Sequence, residues 1–426
     1  MFEFILALWI AVMPIVFSFS DLIGVTKLIF GVNLDIPLQL NLIAVIYLLY
    51  LICKVLFEFD YRECINKFKL ILKKPSFILI TILIISIVVS TIINGGNSYT
   101  LSYFSLFIIF CIIYKLNKNQ INKFLNVLLI SIAITCIMGF IDPTVSFMPG
   151  FYKDGELIAY SLSNQFMNPN YTAYIVSACL IFVIFRLKDF MKWQDSVFYG
   201  LLFFIFGFYL FMNGSFAPIT SIFIVLIVYL LYLWIKDKKF PLRLFLMFVS
   251  LCLFAFIVDF IPNINIYRTC DYNYFLECIS VFDNIFNTNI LSNFITEETI
   301  IGSDGWDRGT FISNSLNALN PLDGNLKQFF FGYGAGYYSI LTPHLLYLGL
   351  ALDFGIITTL AYITILIYYI VVLLKCKKDK DIINLALVFA VFLFNSFFGS
   401  LMMYWYWLFV SVLAIGFKLI KLSKVE

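Results

Sequence analysis

The sequence predicts an all-α, polytopic membrane protein with about twelve spanning helices and a large, partly helical outer loop between the ninth and tenth. Three observations carry this. Of 426 residues, 62% are hydrophobic and 12% charged, against roughly 45–50% apolar and roughly 25% charged in an ordinary soluble domain. The apolar excess falls in blocks of roughly 18–25 residues, the length a helix needs to cross a hydrocarbon core about 30 Å thick. Lys and Arg concentrate in every second connection, the bias that marks cytoplasmic loops.

The predicted spans are 2–20, 38–57, 76–93, 98–115, 122–141, 171–187, 195–212, 217–235, 243–261, 354–374, 381–398 and 402–420. Backbone groups in lipid must bond internally, so these blocks are helices. The period-two alternation of a membrane barrel is absent from them. Segments 76–93 and 217–235 are apolar nearly all round, as lipid-embedded helices are. The first span has only Glu3 near its start, with neither a basic leader nor a small-residue cleavage site. It is therefore expected to be a retained helix rather than a cleaved signal.

With the N-terminus inside, 23 of the 28 basic residues fall on the inner side. The outer segments hold only Lys27, Lys153, Arg268, Arg308 and Lys327. One missed helix would invert this bias downstream of itself, so the alternation supports both the count and cytoplasmic termini. The net charge of +3 is small. No basic patch interleaved with aromatics is present, which argues against a nucleic-acid partner. The chain reads as one integral membrane domain, 1–426, embedded in a lipid bilayer.

Two outer segments are long, 142–170 and 262–343. Structureless loops beyond about 12–15 residues are uncommon and usually functional or structured. Within the second, Phe311, Ile312, Leu316 and Leu319 recur at helical spacing in Thr310–Leu319. This predicts a short amphipathic helix that lies on the membrane or caps a cavity. The same loop carries Cys270 and Cys278. An oxidising compartment would let them pair, and two separate thiols are the alternative.

His344 is the one histidine of the chain. A helix beginning at Pro343 would place it in a first turn, where Pro is favoured and the helix dipole disfavours imidazolium. A neutral imidazole can take a proton from a hydroxyl. The plainer alternative is an interfacial histidine with a satisfied hydrogen bond. No His or Cys cluster has metal-ligand spacing, so no metal centre is expected. Arg308, in Gly305-Trp-Asp-Arg-Gly309, and Arg268 are the only arginines of this loop. A guanidinium fits phosphate oxygens bidentately; pairing of Arg308 with Asp304, Asp307 or a helix end is equally open.

Gly332, Gly334 and Gly336 form Phe331-Gly-Tyr-Gly-Ala-Gly336. Their spacing is not a dinucleotide fingerprint. They allow a sharp turn, or close approach of backbone to a ligand or helix. Asp353 is an acid within an apolar run, costly at membrane depth and so either functional or facing outer water. On one unbroken helix His344 and Asp353 would face opposite sides, so no dyad is expected. Asn168-Pro-Asn170 fits a helix start, with Asn as cap and Pro in the turn.

The stretch 308–355 resembles the bacterial O-antigen polymerase and O-antigen ligase families; the remainder is similar only as a helix pattern. Matching residues are Arg308, Phe331-Gly-Tyr-Gly334, Pro343-His344 with Tyr347, and Asp353-Phe-Gly355, where the families interrupt a helix at Gly. Asn168-Pro-Asn170 is similar to a Pro-Asn step at the start of a middle helix. The chain departs from the pattern at Leu345, where the families often have Asn, and at Ser215-Phe216, where a Ser-Arg pair is common.

The resemblance implies a metal-independent glycosyltransferase without cofactor, in the bacterial inner membrane, with the 262–343 loop periplasmic or extracellular and carrying the active site. Its substrates would be undecaprenyl-pyrophosphate-linked oligosaccharides, as donor and acceptor, and a chain-length regulator and a flippase are implied as partners. Arg308 would stabilise the leaving pyrophosphate. His344 would act as base, or contact the pyrophosphate at a helix N-terminus. Candidate substrate contacts are Asn170, Arg268, Gly332, Gly334, Gly336, Tyr347 and Asp353. Polymerase and ligase share donor and leaving group, and Leu345 after the histidine tilts toward polymerase. A flippase or transporter of the same lipid-linked sugars is the alternative of another class.

Overall fold

The computed structural model describes residues 1–23, 36–58, 75–141, 147–148, 152–153, 156–157, 161–162, 169–188, 192–213, 215–238, 240–259, 314–337, 345–375, 380–397 and 403–423. Among these are twelve long helices: α1 Phe2–Ile23, α2 Ile36–Glu58, α3 Pro75–Asn94, α4 Ser98–Lys115, α5 Lys118–Ile141, α6 Pro169–Lys188, α7 Trp193–Asn213, α8 Phe216–Asp237, α9 Leu242–Asp259, α10 Leu346–Lys375, α11 Lys380–Ser396 and α12 Met403–Ser423. Each overlaps a block predicted from the sequence. Five have the length and apolarity to cross a membrane: α2, α5, α7, α8 and α10.

α6 is the centre of the bundle. Its residues 172–185 are buried without interruption, against α7, α8, α9, α11 and α12. A helix apolar all round is either wrapped in this way or embedded in lipid. Lipid tails are as apolar as Leu, so close packing rather than expulsion from water must hold such helices together. Small residues provide it, with Ala173, Ser177 and Ala178 buried along α6. α3 lies along α10, and α4 is packed by α1, α2 and α12. Away from the core the surface remains apolar: Leu49, Ile85, Leu201, Phe204, Val228 and Phe256 are each more than half exposed. An apolar surface on this scale belongs in contact with lipid rather than water.

At one end of the bundle Asp381, at the start of α11, pairs with Arg186 at 3.5 Å and Lys118 at 4.0 Å. The first turns of α5 and α11 and the last of α6 therefore meet, as alternating antiparallel helices require. The 142–170 segment includes two antiparallel pairs of two-residue strands, Phe147–Met148 with Ser161–Leu162 and Tyr152–Lys153 with Glu156–Leu157.

Two local expectations change. The tenth helix is two segments joined at Gly355: the second begins where the predicted span does, and the first, ahead of it, starts at Leu346 rather than at Pro343. Leu345 precedes it, and its carbonyl accepts from the Gly349 amide at 2.9 Å. The amphipathic stretch expected over Thr310–Leu319 is helical at 314–318 within the described residues. There Leu319 is buried with Leu348, Ala351 and Leu352, while Leu316 is 45% exposed. The short helix therefore covers the first turns of α10.

Candidate functional site

α10 is interrupted at Gly355, whose φ of 82° and ψ of 175° lie outside any helix. A break strands the carbonyls on its upstream side, because their donors four residues on have turned away. Such groups are costly away from water unless another element supplies donors. Here the supplier is the glycine-rich turn. The Tyr333 amide donates to the Leu352 carbonyl at 2.7 Å, and the Gly334 amide to the Asp353 carbonyl at 3.0 Å. Just beyond the break, the hydroxyls of Thr358 and Thr359 fold back onto the carbonyls of Phe354 and Gly355.

This docking demands glycine. Gly332 has φ 71° and Gly355 φ 82°. A Cβ on Gly332 would overlap the Asp353 carbonyl group, and one on Gly355 the Phe330 carbonyl. The two backbones thus meet where no side chain fits. Gly336, at φ 90°, lies on the Tyr99 ring, 2.6 Å from where its Cβ would be. The glycine motif, open to several readings in the sequence, is a close approach of backbone to a neighbouring helix.

Asp353 is at the centre of this junction and has no exposed surface. Its Oδ2 accepts from the Tyr103 hydroxyl of α4 at 2.9 Å and from the Gly336 amide at 2.9 Å. The Tyr103 ring stands edge-on to Phe354, centroids 4.7 Å apart. Asp353 therefore does not face outer water; it ties α4, α10 and the turn together. From the other side, Asn94 Nδ2 donates to the carbonyls of Phe331 and Gly332, each at 3.2 Å. Ser90 Oγ donates to Phe331, and Asn97 Nδ2 to Ala335 at 2.6 Å. Asn97 also caps α4 in a reciprocal box with Thr100.

Above the turn, the Tyr333 ring stacks on Tyr337 at 4.1 Å, and its hydroxyl donates to the Ala318 carbonyl at 2.8 Å. Burial, with Tyr337 second, pushes the Tyr333 phenol above its ordinary range. It stays protonated, and able to donate, wherever a free tyrosine would.

Tyr347 belongs to a different cluster. It sits in the first turn of α10, its hydroxyl 3.0 Å from Ser396 Oγ and its ring beside Phe397 at 5.3 Å and Tyr362 at 6.3 Å. Tyr362 in turn accepts from Tyr406 of α12. Asn170 is the second residue of α6, and Pro169 starts that helix as the sequence suggested. Arg268, Cys270, Cys278, Arg308, Pro343 and His344 lie outside the described residues.

The structure thus brings Gly332, Gly334, Gly336 and Asp353 together and leaves Tyr347 apart. It adds Ser90, Asn94, Asn97 and Tyr103, which sequence reasoning missed. A signal existed: Ser86, Ser90 and Asn94 are spaced four apart on a mostly apolar helix, hence on one face. Ser86 meets Thr358 of α10 at 3.0 Å, completing that stripe. No protein-family model matches the chain, and neither does any curated protein or solved structure.

Proposed function

We propose that the chain joins undecaprenyl-pyrophosphate-linked oligosaccharide repeat units into a surface polysaccharide, O-antigen or capsule, at the outer face of the bacterial plasma membrane. One observation supports this above the others. Phe331–Gly334 and Asp353–Gly355, separate motifs of the resemblance to the O-antigen polymerase and ligase families, are two halves of one junction. The residues between them include His344 and Tyr347, so the junction brackets the Pro-His step on which the resemblance also rests.

In this proposal all twelve helices span, both termini are cytoplasmic, and the 262–343 loop is outside. An acceptor hydroxyl oxygen bonds to the anomeric carbon of the donor, and the bond from that carbon to the lipid pyrophosphate breaks. The hydroxyl proton passes to His344, and Arg308 offsets the charge growing on the leaving group. The polyprenyl tail stays in the bilayer throughout, which is why the reaction belongs at a membrane-level surface. The glycines and Asp353 act on this site through the backbone they hold.

A flippase or transporter would draw on one specific observation, a broken helix beside a buried acid. Against it, the Asp353 oxygen is engaged by Tyr103 and Gly336, which is how a structural acid is held. Deleting the gene in its host and separating the lipopolysaccharide or capsule on a gel tests both ideas. Collapse of the ladder to a single repeat unit is expected, and His344→Ala should reproduce it while single lipid-linked units still reach the outer face. Bare core with accumulated lipid-linked polymer would mean a ligase. An unchanged ladder would end both glycosyltransferase proposals.

A further inference from the structure

We infer that the cleft between the inner halves of α8 and α9 is a binding site for an anionic glycerophospholipid of the inner leaflet. The cleft has a volume of about 190 Å³ and is lined by Leu230, Leu231, Trp234, Phe240, Phe245 and Phe248, together with Ile227. Every lining side chain is apolar. A soluble ligand needs a few placed polar groups to orient it, and none is offered. A hydrocarbon chain needs none.

What stands at the mouth specifies the rest of the ligand. The stretch 236–243 holds Lys236, Lys238, Lys239 and Arg243 against one acid, Asp237. Lys236, Lys238 and Arg243 are exposed, and Lys236 Nζ lies 5.5 Å above the Tyr232 ring. At the same level Trp234 is 54% and Phe240 51% exposed, and their rings meet edge-on at 6.2 Å. Aromatic rings of this kind mark the headgroup level of a bilayer. The turn between the helices includes Lys238 in the left-handed conformation, at φ 49°. Lys236 is the next-to-last residue of α8 and Arg243 the second of α9, so with Lys238 they stand at the level of Trp234 and Phe240, around the end of the cleft. A ligand that fills both parts has an acyl chain and a negative headgroup. Basic pockets on the cytoplasmic side take such lipids, each Lys or Arg near the surface adding attraction.

Trp234 reports on the cleft directly. The full-length protein is reconstituted in phosphatidylcholine vesicles containing an equal mole fraction of either phosphatidylglycerol or phosphatidylcholine with brominated chains. Emission of Trp234 is read as the difference between the parent and Trp234→Phe. The expected result is quenching that corresponds to about fivefold or greater enrichment of the anionic lipid at Trp234. The combined Lys236→Gln, Lys238→Gln and Arg243→Gln variant should lose this preference. The Lys236→Arg and Lys238→Arg variant should retain it, which guards against misfolding as the cause. Equal quenching by the two lipids in the parent overturns the inference. So does a preference that survives the Gln variant, or an absence of quenching by either lipid, which would mean that a second copy of the chain fills the cleft.

Discussion

At the scale of single residues, the junction turns on where a Cβ can and cannot go. Gly332 and Gly324 both have positive φ, 71° and 85°, yet only Gly332 is pressed against backbone; a Cβ on Gly324 meets nothing within 4 Å. Gly324→Ala should cost about 1 kcal/mol, the left-handed penalty alone. Gly332→Ala should cost about 3 kcal/mol or more, because the obstacle is the Asp353 backbone and cannot swing aside. Unfolding of the two purified variants in detergent, side by side, checks the difference. Comparable losses would mean that the close contact does not limit stability. The glycines stood out in the sequence, but the reason for them did not. A turn, a ligand and a helix all ask for the same missing side chain, and only the position of Asp353 decides among them.

At the scale of elements, α3 is the clamp. Its Ser90 and Asn94, with Asn97 just past its end, hold the carbonyls of the turn. Asn94→Ala removes two of these bonds. It should speed hydrogen exchange in 326–337 while 172–185 of α6 stays protected, since local opening follows local contacts. Exchange rising equally in both segments would show that Asn94 supports the whole bundle instead. The helices themselves were legible, because long apolar blocks of this kind are displayed directly by the sequence. The start of α10 was not. Asp353-Phe-Gly355 reads locally as a helix boundary, and it is one, but a further helical segment from Leu346 ends there because donors from the turn satisfy its last carbonyls. Pairings of that kind depend on packing across distant segments, which periodicity does not encode.

At the scale of the whole molecule, the proposed topology divides the chain into two sides, with basic connections inside and the long ones outside. Single cysteines at Lys192 and Gly324, both exposed, in a chain otherwise free of cysteine, test that division. A membrane-impermeant maleimide should label Gly324→Cys in intact cells, and Lys192→Cys only after permeabilisation. The reverse pattern would invert the topology and with it the proposed site of glycosyl transfer. The junction at Asp353 also sets a clock. The groups that meet there are 237 to 263 residues apart in the chain. At about 5–20 residues per second, synthesis needs on the order of tens of seconds to bring the second set after the first. Throughout that interval Ser90 and Asn94 of α3 lack their final partners. A nascent chain halted before the glycine turn would carry an exposed polar stripe, which makes it a ready substrate for membrane quality control.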